Sequence, residues 1–421
     1  MKNNEYLMNS SGKAAQKPAE RSAAKPRGFV IRQIEKMFSG ANSGHLSLRL
    51  PNNQTANIDG EQSGPEAEIY FKSWTGILRY LIGGELAFAE GFISGNIEVP
   101  SLNNLFKWYI ANEGVLSERN NSGKIFQSAN RFFHKVVNNN SKFGSRKNIS
   151  FHYDLGNDFY KTWLDEGMTY SSADFSKTND LGQAQDEKYA NMANFAQVQP
   201  GDKLLEIGCG WGGFAAHIME RHQLDYTGVT ISKEQFDYAK NRMSRWQTNK
   251  DLFHFQDYRD VRGEFDSIVS IEMFEAVGEN HWTTYFATIK KLLKDNGSAA
   301  IQTITINDDR FSSYREGVDF IQKYIFPGGM LPSPEIFEKF AETAGLKVTK
   351  RHDLGDSYGE TLRRWRSNFI ENWPQLESQG FDQRFYRMWL YYFNYCEVGF
   401  NEKTINVYQF SLEHAGEKDH V

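Results

Sequence analysis

The second half of the chain alternates short apolar runs with segments whose apolar residues recur at helical spacing. Such alternation predicts strands separated by helices, which build an open sheet covered on both faces. The predicted strands span 203–207, 225–231, 252–256, 265–271, 298–306, 346–351 and 406–412. The predicted helices include 214–221, 233–243 and 282–293, the last ended by Asn296-Gly297. This order predicts a doubly wound, seven-stranded, Rossmann-like α/β domain whose last two strands form an antiparallel hairpin.

The first part of the chain follows a different pattern. Residues 45–50 and 67–71 alternate as strands do, and the segments with helical spacing are 74–81, 85–93 and 102–111. Residues 1–28 are polar and lack the apolar core of a signal peptide, which predicts a disordered arm. The expected organisation is therefore an arm at 1–28, a smaller N-terminal α+β domain at 29–117, a basic linker at 118–147 and a catalytic domain at 148–421.

Composition excludes several classes of protein. With 421 residues and a net charge of −5, the chain is large enough for two domains and has no overall basic character for nucleic acid. Two cysteines, Cys209 and Cys396, do not make a disulfide framework and fit a reducing compartment. The chain has no run of 18 apolar residues, and its ten histidines show no metal-ligand spacing, so we predict neither a membrane span nor a metal site.

One segment carries an uneven charge. Residues 119–153 contain seven Lys or Arg and no Asp or Glu, with phenylalanines interleaved. Basic residues attract anionic lipid at about 1 kcal/mol each near a membrane surface, and aromatic side chains favour the interface. The segment therefore fits contact with an anionic membrane, and it equally fits a solvated linker between domains.

A glycine-rich turn follows the strand at 203–207. Glu206 is followed by Gly208, Gly210 and Gly212 at alternate positions, and a helical pattern begins at once. Glycine tolerates positive φ and lets the backbone approach a ligand closely. The spacing differs from the G-x-G-x-x-G of dinucleotide-binding proteins and indicates S-adenosylmethionine (SAM). The alternative is a tight turn without a ligand.

Ligands of open α/β sheets bind at the carboxyl ends of the strands. After the second strand come Thr230, Ile231 and Gln235, where Gln235 either contacts a ribose or closes a capping box with Ser232. After the third strand come Asp257 and Tyr258, which fit an adenine or a plain surface turn.

Two acids, Glu272 and Glu275, follow the fourth strand. Their spacing of three residues predicts one shared helix face near the sulfonium side of the pocket. One of the two also fits the role of an ordinary acid at a helix N-terminus.

Seven motifs occur in an order that resembles the cyclopropane fatty acid synthase family. They are HYDLGNDFY (152–160), MTYSSA (168–173), LLEIGCGWGG (204–213), GVTISKEQ (228–235), MFEAVG (273–278), YIFPGGMLPS (324–333) and YGETLRRW (358–365). The resemblance covers about 150–412, and residues 29–117 resemble the family's N-terminal lipid-binding domain more weakly. It implies transfer of the SAM methyl group to the double bond of an unsaturated acyl chain, commonly in a phospholipid. A carbocation then loses a proton beside a bound bicarbonate ion.

The resemblance also assigns individual residues. Cofactor positions match Tyr170, Ser171, Gly208, Gly210, Thr230 and Gln235. Bicarbonate positions match Glu275 and Tyr358, with a backbone contact from Ile304. Two further positions of that site depart from the family, since Ser172 replaces a cysteine and Gln302 replaces a histidine, and Ala276 replaces another common histidine. Glutamine cannot take up a proton as histidine does, so the proton relay differs.

These departures leave the product open. The first expectation is a cyclopropane fatty acid. The alternative is a methylene-bearing, methyl-branched or furan-precursor chain, and a methylene product would need a partner reductase to become a methyl branch. The sequence also fits a lipid-binding protein with an inactive site. A methyltransferase for nucleic acid is disfavoured by the acidic charge balance. One for small molecules is disfavoured because the PGGMLPS loop (327–333) and the aromatic segment 385–400 suit an acyl tunnel better.

The resemblance and the charge pattern also predict partners and a location. We expect a protein of the cytoplasm that associates peripherally with the inner face of the membrane, and the resemblance implies a homodimer. The aromatic segment 385–400 fits either the wall of an acyl tunnel or an amphipathic core helix.

Overall fold

A computed structural model describes residues 28–119, 140–142, 144–145, 148, 155–246 and 251–416. The expected N-terminal arm, apart from residue 28, and most of the basic segment lie outside these residues, as does the beginning of the HYDLGNDFY motif. In the described part of the chain, no helix has the length and apolarity needed to cross a bilayer.

The N-terminal unit contains a four-stranded sheet and three helices. Its strands are β1 (Ser43–Arg49), β2 (Thr55–Asp59), β3 (Gln62–Phe71) and β4 (Ile97–Glu98), in the order β2-β1-β3-β4. Its helices are α1 (Phe29–Phe38), α2 (Trp74–Ile93) and α3 (Leu102–Arg119). The strands predicted at 45–50 and 67–71 are confirmed, because their alternate residues are buried. The two helices predicted at 74–81 and 85–93 are confirmed as the two parts of α2, which are separated by a kink at the non-helical Gly84, where φ is +59°.

The larger unit is built on a seven-stranded sheet, as predicted. Its strands are β5 (Lys203–Ile207), β6 (Asp225–Thr230), β7 (Phe253–Phe255), β8 (Phe265–Ile271), β9 (Leu293–Ile306), β10 (Leu346–Asp353) and β11 (Ile405–His414). The order is β10-β11-β9-β8-β5-β6-β7, with β11 antiparallel to both of its neighbours. From β5 the chain adds β6 and β7 on one side and then β8 and β9 on the other. This reversal of strand order opens a crevice at the carboxyl ends of β5 and β8.

Ten helices of the described chain accompany this sheet. They are α4 (Asn157–Lys161), α5 (Leu181–Phe195), α6 (Gly213–Arg221), α7 (Lys233–Arg242), α8 (Trp282–Leu292), α9 (Asp308–Glu316), α10 (Pro334–Thr343), α11 (Gly355–Glu371), α12 (Trp373–Ser378) and α13 (Gln383–Asn401). Side chains of Asp180, Ser232, Ser333 and Asp382 accept hydrogen bonds from the first turns of four of them, which explains where those helices begin.

Two local predictions were wrong. Asn296-Gly297 does not end a helix, because α8 stops at Leu292 and β9 already begins at Leu293. The last two strands pair antiparallel, but α11, α12 and α13 lie between them in the chain, so they do not form a tight hairpin. Apolar periodicity does not reveal such an insertion, since β10 and β11 each satisfy their own strand pattern.

The helix α13 joins the two units. Its Tyr391 ring lies 5.9 Å from Phe92 on α2 and 5.1 Å from Phe106 on α3. On another face, Trp389 and Phe393 are fully buried in the core. The aromatic segment 385–400 is therefore a core helix on one side, while its Tyr391, Tyr392 and Tyr395 line the cavity described next.

Candidate active site

One cavity of about 460 Å³ connects the carboxyl ends of β5, β6 and β8 with the interior of the N-terminal unit. It is lined by most of the residues that the motifs single out: Tyr170, Ser171, Glu206, Gly208, Gly210, Thr230, Ile231, Gln235, Asp257, Tyr258, Glu275, Ile304 and Tyr358. Three others lie outside its wall: Ser172, Gly212 and Gln302. Residues that are far apart in the chain thus share one enclosed space.

The glycine turn forms one end of the cavity. Gly208, Gly210 and Gly212 have φ values of +82°, +52° and +78°, a conformation that L side chains rarely adopt. A Cβ on Gly208 would lie 2.9 Å from the side chain of Met273, whereas nothing lies within 4 Å of a Cβ on Gly210. The side chain of Met273, which also lines the cavity, packs closely against Gly208, whereas the turn is open at Gly210, as the approach of a ligand to the backbone requires.

Thr230 and Gln235 form the adjoining wall. Ser232 caps α7 by accepting the backbone N–H of Gln235, so the first half of the predicted capping box is present. The side-chain oxygen of Gln235 accepts a hydrogen bond from Thr230 Oγ1 at 3.1 Å. Gln235 therefore lies with its amide on the cavity wall, which fits the ribose alternative better than the capping alternative.

Asp257 is buried and ion-paired. Its carboxylate accepts hydrogen bonds from Arg259 Nε at 2.8 Å and from Arg259 Nη2 at 2.7 Å. Burial alone would raise the pKa of Asp257, but the guanidinium outweighs it and holds that pKa below its usual value. Arg259 was not predicted as a site residue, although a side chain two positions from a buried acid is a natural partner for it.

A buried lysine stands behind the loop that contains Tyr170 and Ser171. Lys188 Nζ donates to Ser171 Oγ at 2.6 Å, and Tyr170 shares a hydrogen bond of 2.9 Å with the hydroxyl of Tyr392. Burial lowers the pKa of Lys188 to about 8, although Glu272 and other buried carboxylates oppose that shift. None of the motifs includes Lys188, so its place in the site was missed.

The carboxylate of Glu206 is hydrogen-bonded by a residue of the neighbouring strand. The hydroxyl of Tyr226 on β6 donates a hydrogen bond to its carboxylate, and burial raises the pKa of Glu206 to about 8. The residue leads the glycine turn as predicted and lines the cavity.

Glu272 is the centre of the site. Its Oε1 accepts hydrogen bonds from the Ser172 backbone N–H at 2.7 Å and from Gln302 Nε2 at 2.8 Å. Its Oε2 accepts one from the Tyr358 hydroxyl at 2.6 Å. The amide of Gln302 is oriented by Gln409, whose Nε2 donates to Gln302 Oε1 at 3.0 Å. Four separate parts of the chain therefore meet at one carboxylate.

Glu275 lies beside it in a different environment. Its Oε1 accepts the backbone N–H of Ile304, while its Oε2 is buried without a hydrogen-bond partner in the described structure. Burial, followed by the neighbouring charge of Glu272, raises the pKa of Glu275 to about 8. The predicted shared helix face is wrong, because Glu272 has a φ of +49° and only a single 3₁₀ turn, Phe274–Ala276, follows.

The residues fit SAM and do not fit an added bicarbonate ion. The open glycine turn, the amide of Gln235 and the buried Asp257 surround space at the end of the cavity where a nucleoside and a charged amino acid tail can lie. By contrast, donors that the resemblance assigns to bicarbonate already bind the Glu272 carboxylate, and Ser172 Oγ donates to the Ala173 carbonyl instead. In the described part of the chain, no group of three His, Cys, Asp or Glu side chains is arranged to hold a metal ion.

Comparison with known proteins places this geometry in a family. Residues 140–410 match the family model described as mycolic acid cyclopropane synthetase. The chain is 35% identical over 390 residues to the tuberculostearic acid methyltransferase UfaA1 of Mycobacterium tuberculosis, with 88% of this chain and 89% of the relative covered. It is 37% identical over 259 residues to the cyclopropane-fatty-acyl-phospholipid synthase of Escherichia coli, with 61% of this chain and 65% of that protein covered.

A solved structure agrees with these relatives. The mycolic acid cyclopropane synthase CmaA1 complexed with SAH and CTAB superposes with a TM-score of 0.59 at 28% identity, covering 63% of this chain and 97% of that chain. The seven-stranded fold and the glycine turn are thus those of an enzyme that uses SAM. The chain belongs to the mycolic acid cyclopropane synthetase family, whose members are SAM-dependent methyltransferases that modify fatty acids.

Proposed function

We propose that the protein transfers the methyl carbon of SAM to a double-bond carbon of an unsaturated phospholipid acyl chain, and that the product is a cyclopropane fatty acid. The observation that carries this proposal is the single cavity that joins the glycine turn, the two carboxylates and an aromatic channel. A separate, narrow nucleotide pocket would fit a small polar substrate better than this continuous space does.

The cofactor end is assigned to the turn at Gly208 and Gly210, with Gln235 facing the ribose and Asp257 and Tyr258 near the adenine. When bound, SAM supplies an electrophilic methyl carbon on a sulfonium. An alkene is a weak nucleophile, so the protein must hold the double bond in line with that carbon and exclude water. The enclosed cavity meets both requirements.

The reacting carbons are assigned to the space between Glu272, Tyr170 and Phe326. As the π electrons of the alkene form the new carbon–carbon bond, the other alkene carbon becomes cationic. The rings of Tyr170 and Phe326 lie 6.2 Å apart and are stacked, and both line the cavity. Aromatic faces stabilise a desolvated cation by about 2 kcal/mol or more. Loss of a proton from the new methyl group then closes the ring.

The remaining length of the acyl chain is assigned to the part of the cavity inside the N-terminal unit. The lining there is largely aromatic and comes from α2, α3 and α13: Tyr80, Phe88, Phe106, Trp108 and Tyr391. We infer that residues 29–117 act as a lipid-binding domain that completes the cavity, rather than as an independent domain with a separate function.

The outer face of α2 supports a peripheral position on a membrane. Trp74, Leu78 and Ile82 are 45%, 57% and 63% exposed and recur every four residues, so they lie on one face of the helix. Residues Tyr80 and Phe88 of the same helix line the cavity. A bilayer in contact with the outer face would thus lie one helix away from the acyl channel. The basic segment 119–153, which also fits membrane contact, falls mainly outside the described residues.

A methylene-bearing acyl chain is the second candidate product. A hydride shift in the same cation, followed by loss of a methyl proton, gives this product without ring closure. Two observations favour it. Gln302 lies at the position where the family resemblance places a histidine in cyclopropane synthases. In addition, the relative that matches 88% of this chain is named as a tuberculostearic acid methyltransferase. A partner reductase would then be needed to produce a methyl branch.

The test is incubation of the purified protein with methyl-labelled SAM and liposomes of a monounsaturated phospholipid, followed by proton NMR of the lipid. Upfield cyclopropyl protons support the proposed product. Vinylidene protons establish the second candidate. Absence of label in lipid, in a preparation that binds SAM, contradicts the assignment of an acyl substrate.

A further inference from the structure

We propose that the carboxylate of Glu272 is the proton acceptor of the reaction and occupies the place that the family resemblance assigns to a bicarbonate ion. This inference rests on the proposed function, since it assigns the step that follows methyl transfer. It adds a catalytic residue that none of the motifs identifies as one.

The first support is the set of donors. A carboxylate and a bicarbonate ion share a planar O–C–O group, and both satisfy the same donors with two oxygens. The Ser172 backbone, the Gln302 amide and the Tyr358 hydroxyl all donate to Glu272, at 2.6–2.8 Å. A second anion at these donors would be left without hydrogen bonds and beside a like charge.

The second support is the backbone. Glu272 has a φ of +49° at the end of β8, a conformation that favours glycine and costs a residue with a side chain. The surrounding structure keeps this strained residue, with its backbone N–H bonded to the Gln302 carbonyl at 2.8 Å. Strain of this kind is maintained where the direction of a side chain matters, and here it directs the carboxylate to the cavity.

The third support is the division of charge between the two acids. Burial raises the pKa of both carboxyl groups, but at Glu272 the three donors oppose that rise. Glu275 has one buried oxygen without a hydrogen-bond partner, so a negative charge is less well stabilised there. Of the two carboxylates, Glu272 is therefore the better placed to hold the negative charge and to accept a proton.

The fourth support is access. Glu272 and Tyr358 line the cavity, whereas Ser172 and Gln302 are fully buried behind the carboxylate. Oε2 has one hydrogen-bond partner and retains a lone pair for the substrate. In the step itself, a C–H bond of the new methyl group breaks and its electron pair forms the ring bond to the cationic carbon. The proton moves to Oε2, so a carboxylate and a cation become a carboxylic acid and a neutral chain.

Chemical rescue tests this assignment. The wild type, Glu272→Gln and Glu272→Gly are assayed for transfer of labelled methyl to phospholipid in carbon dioxide-free buffer, with and without added bicarbonate or formate. Glu264→Gln, which changes an exposed glutamate directly before β8, is the matched control. We expect wild-type turnover to be independent of bicarbonate, and Glu272→Gln to lose about 10²–10⁴-fold in rate while SAM binding stays within a few-fold.

Glu272→Gly removes the carboxylate and relieves the positive φ, so it should fold and leave a space of carboxylate shape. Its activity should return on addition of bicarbonate or formate, with saturation. A wild type that loses turnover without bicarbonate, or a Glu272→Gly variant that is active without any anion, would overturn the assignment. The comparison of wild-type turnover with and without bicarbonate needs no variant, so it tests the assignment even if a variant fails to fold. Absence of methyl transfer by the wild type in every buffer would instead refute the proposed function, and with it this step.

Discussion

Replacing Glu275 with glutamine should make the stability of the protein less sensitive to a rise in pH between about 5 and 8. An exposed glutamate has a pKa of about 4.5, whereas burial and the charge of Glu272 raise that of Glu275 to about 8. Between these values the folded protein keeps a proton that the unfolded chain releases. The contribution of Glu275 to the stability of the wild type is therefore fully present below pH 4.5 and is lost progressively as the pH rises towards 8.

The magnitude follows from the width of this window. Each pH unit inside it costs about 1.4 kcal/mol, so the wild type should lose about 3 kcal/mol between pH 5 and pH 7 through this one residue. Glutamine does not titrate, and its amide oxygen can accept the same backbone N–H of Ile304. The stability of Glu275→Gln relative to wild type should therefore rise by about 3 kcal/mol over that range.

The assay is urea unfolding followed by tryptophan fluorescence at pH 5, 6, 7 and 8 for both proteins, with Glu264→Gln as the exposed control. The control should run parallel to the wild type at every pH. If the Glu275→Gln curve also runs parallel to the wild type, Glu275 is ionised in the folded protein and the division of charge between the two acids is wrong.

Three further predictions concern binding. Asp257→Asn should weaken SAM binding by about tenfold and lower the free energy of unfolding by about 3 kcal/mol, because it leaves the largely buried guanidinium of Arg259 without its ion pair. Calorimetric titration measures the first effect and urea unfolding the second. Gly208→Ala should abolish detectable SAM binding, since the turn has a positive φ and no room for a Cβ, and retained affinity would contradict the assignment of the turn. Trp74→Glu with Leu78→Glu should reduce binding to liposomes at least tenfold and spare activity on detergent-dispersed lipid, whereas Phe255→Glu, which changes an exposed aromatic elsewhere, should not. Equal losses for both would refute a membrane face on α2.

Local rules account for much of what could be predicted. The strands at 203–207 and 265–271 are present with their predicted bounds, because each is an apolar run bounded by turn residues. The turn at Gly208 and Gly210 was recognisable for the same reason, since positive φ selects glycine by the geometry of one residue. Errors arose where the local signal did not settle the element, as at Asn296-Gly297, which lies inside β9 at an irregularity in its pairing with β8.

The sequence by itself therefore determined the element types, the cofactor class and the family of this protein, since these depend on short-range pattern and motif order. Only the tertiary structure decided that Glu272 receives hydrogen bonds from Ser172, Gln302 and Tyr358, which are between 30 and 100 residues away in the chain. It also decided that burial and the neighbouring Glu272 raise the pKa of Glu275, and that the cavity continues into the N-terminal unit. Hydrogen bonding and desolvation act between groups that are close in space, and no periodicity along a chain records which distant groups will meet.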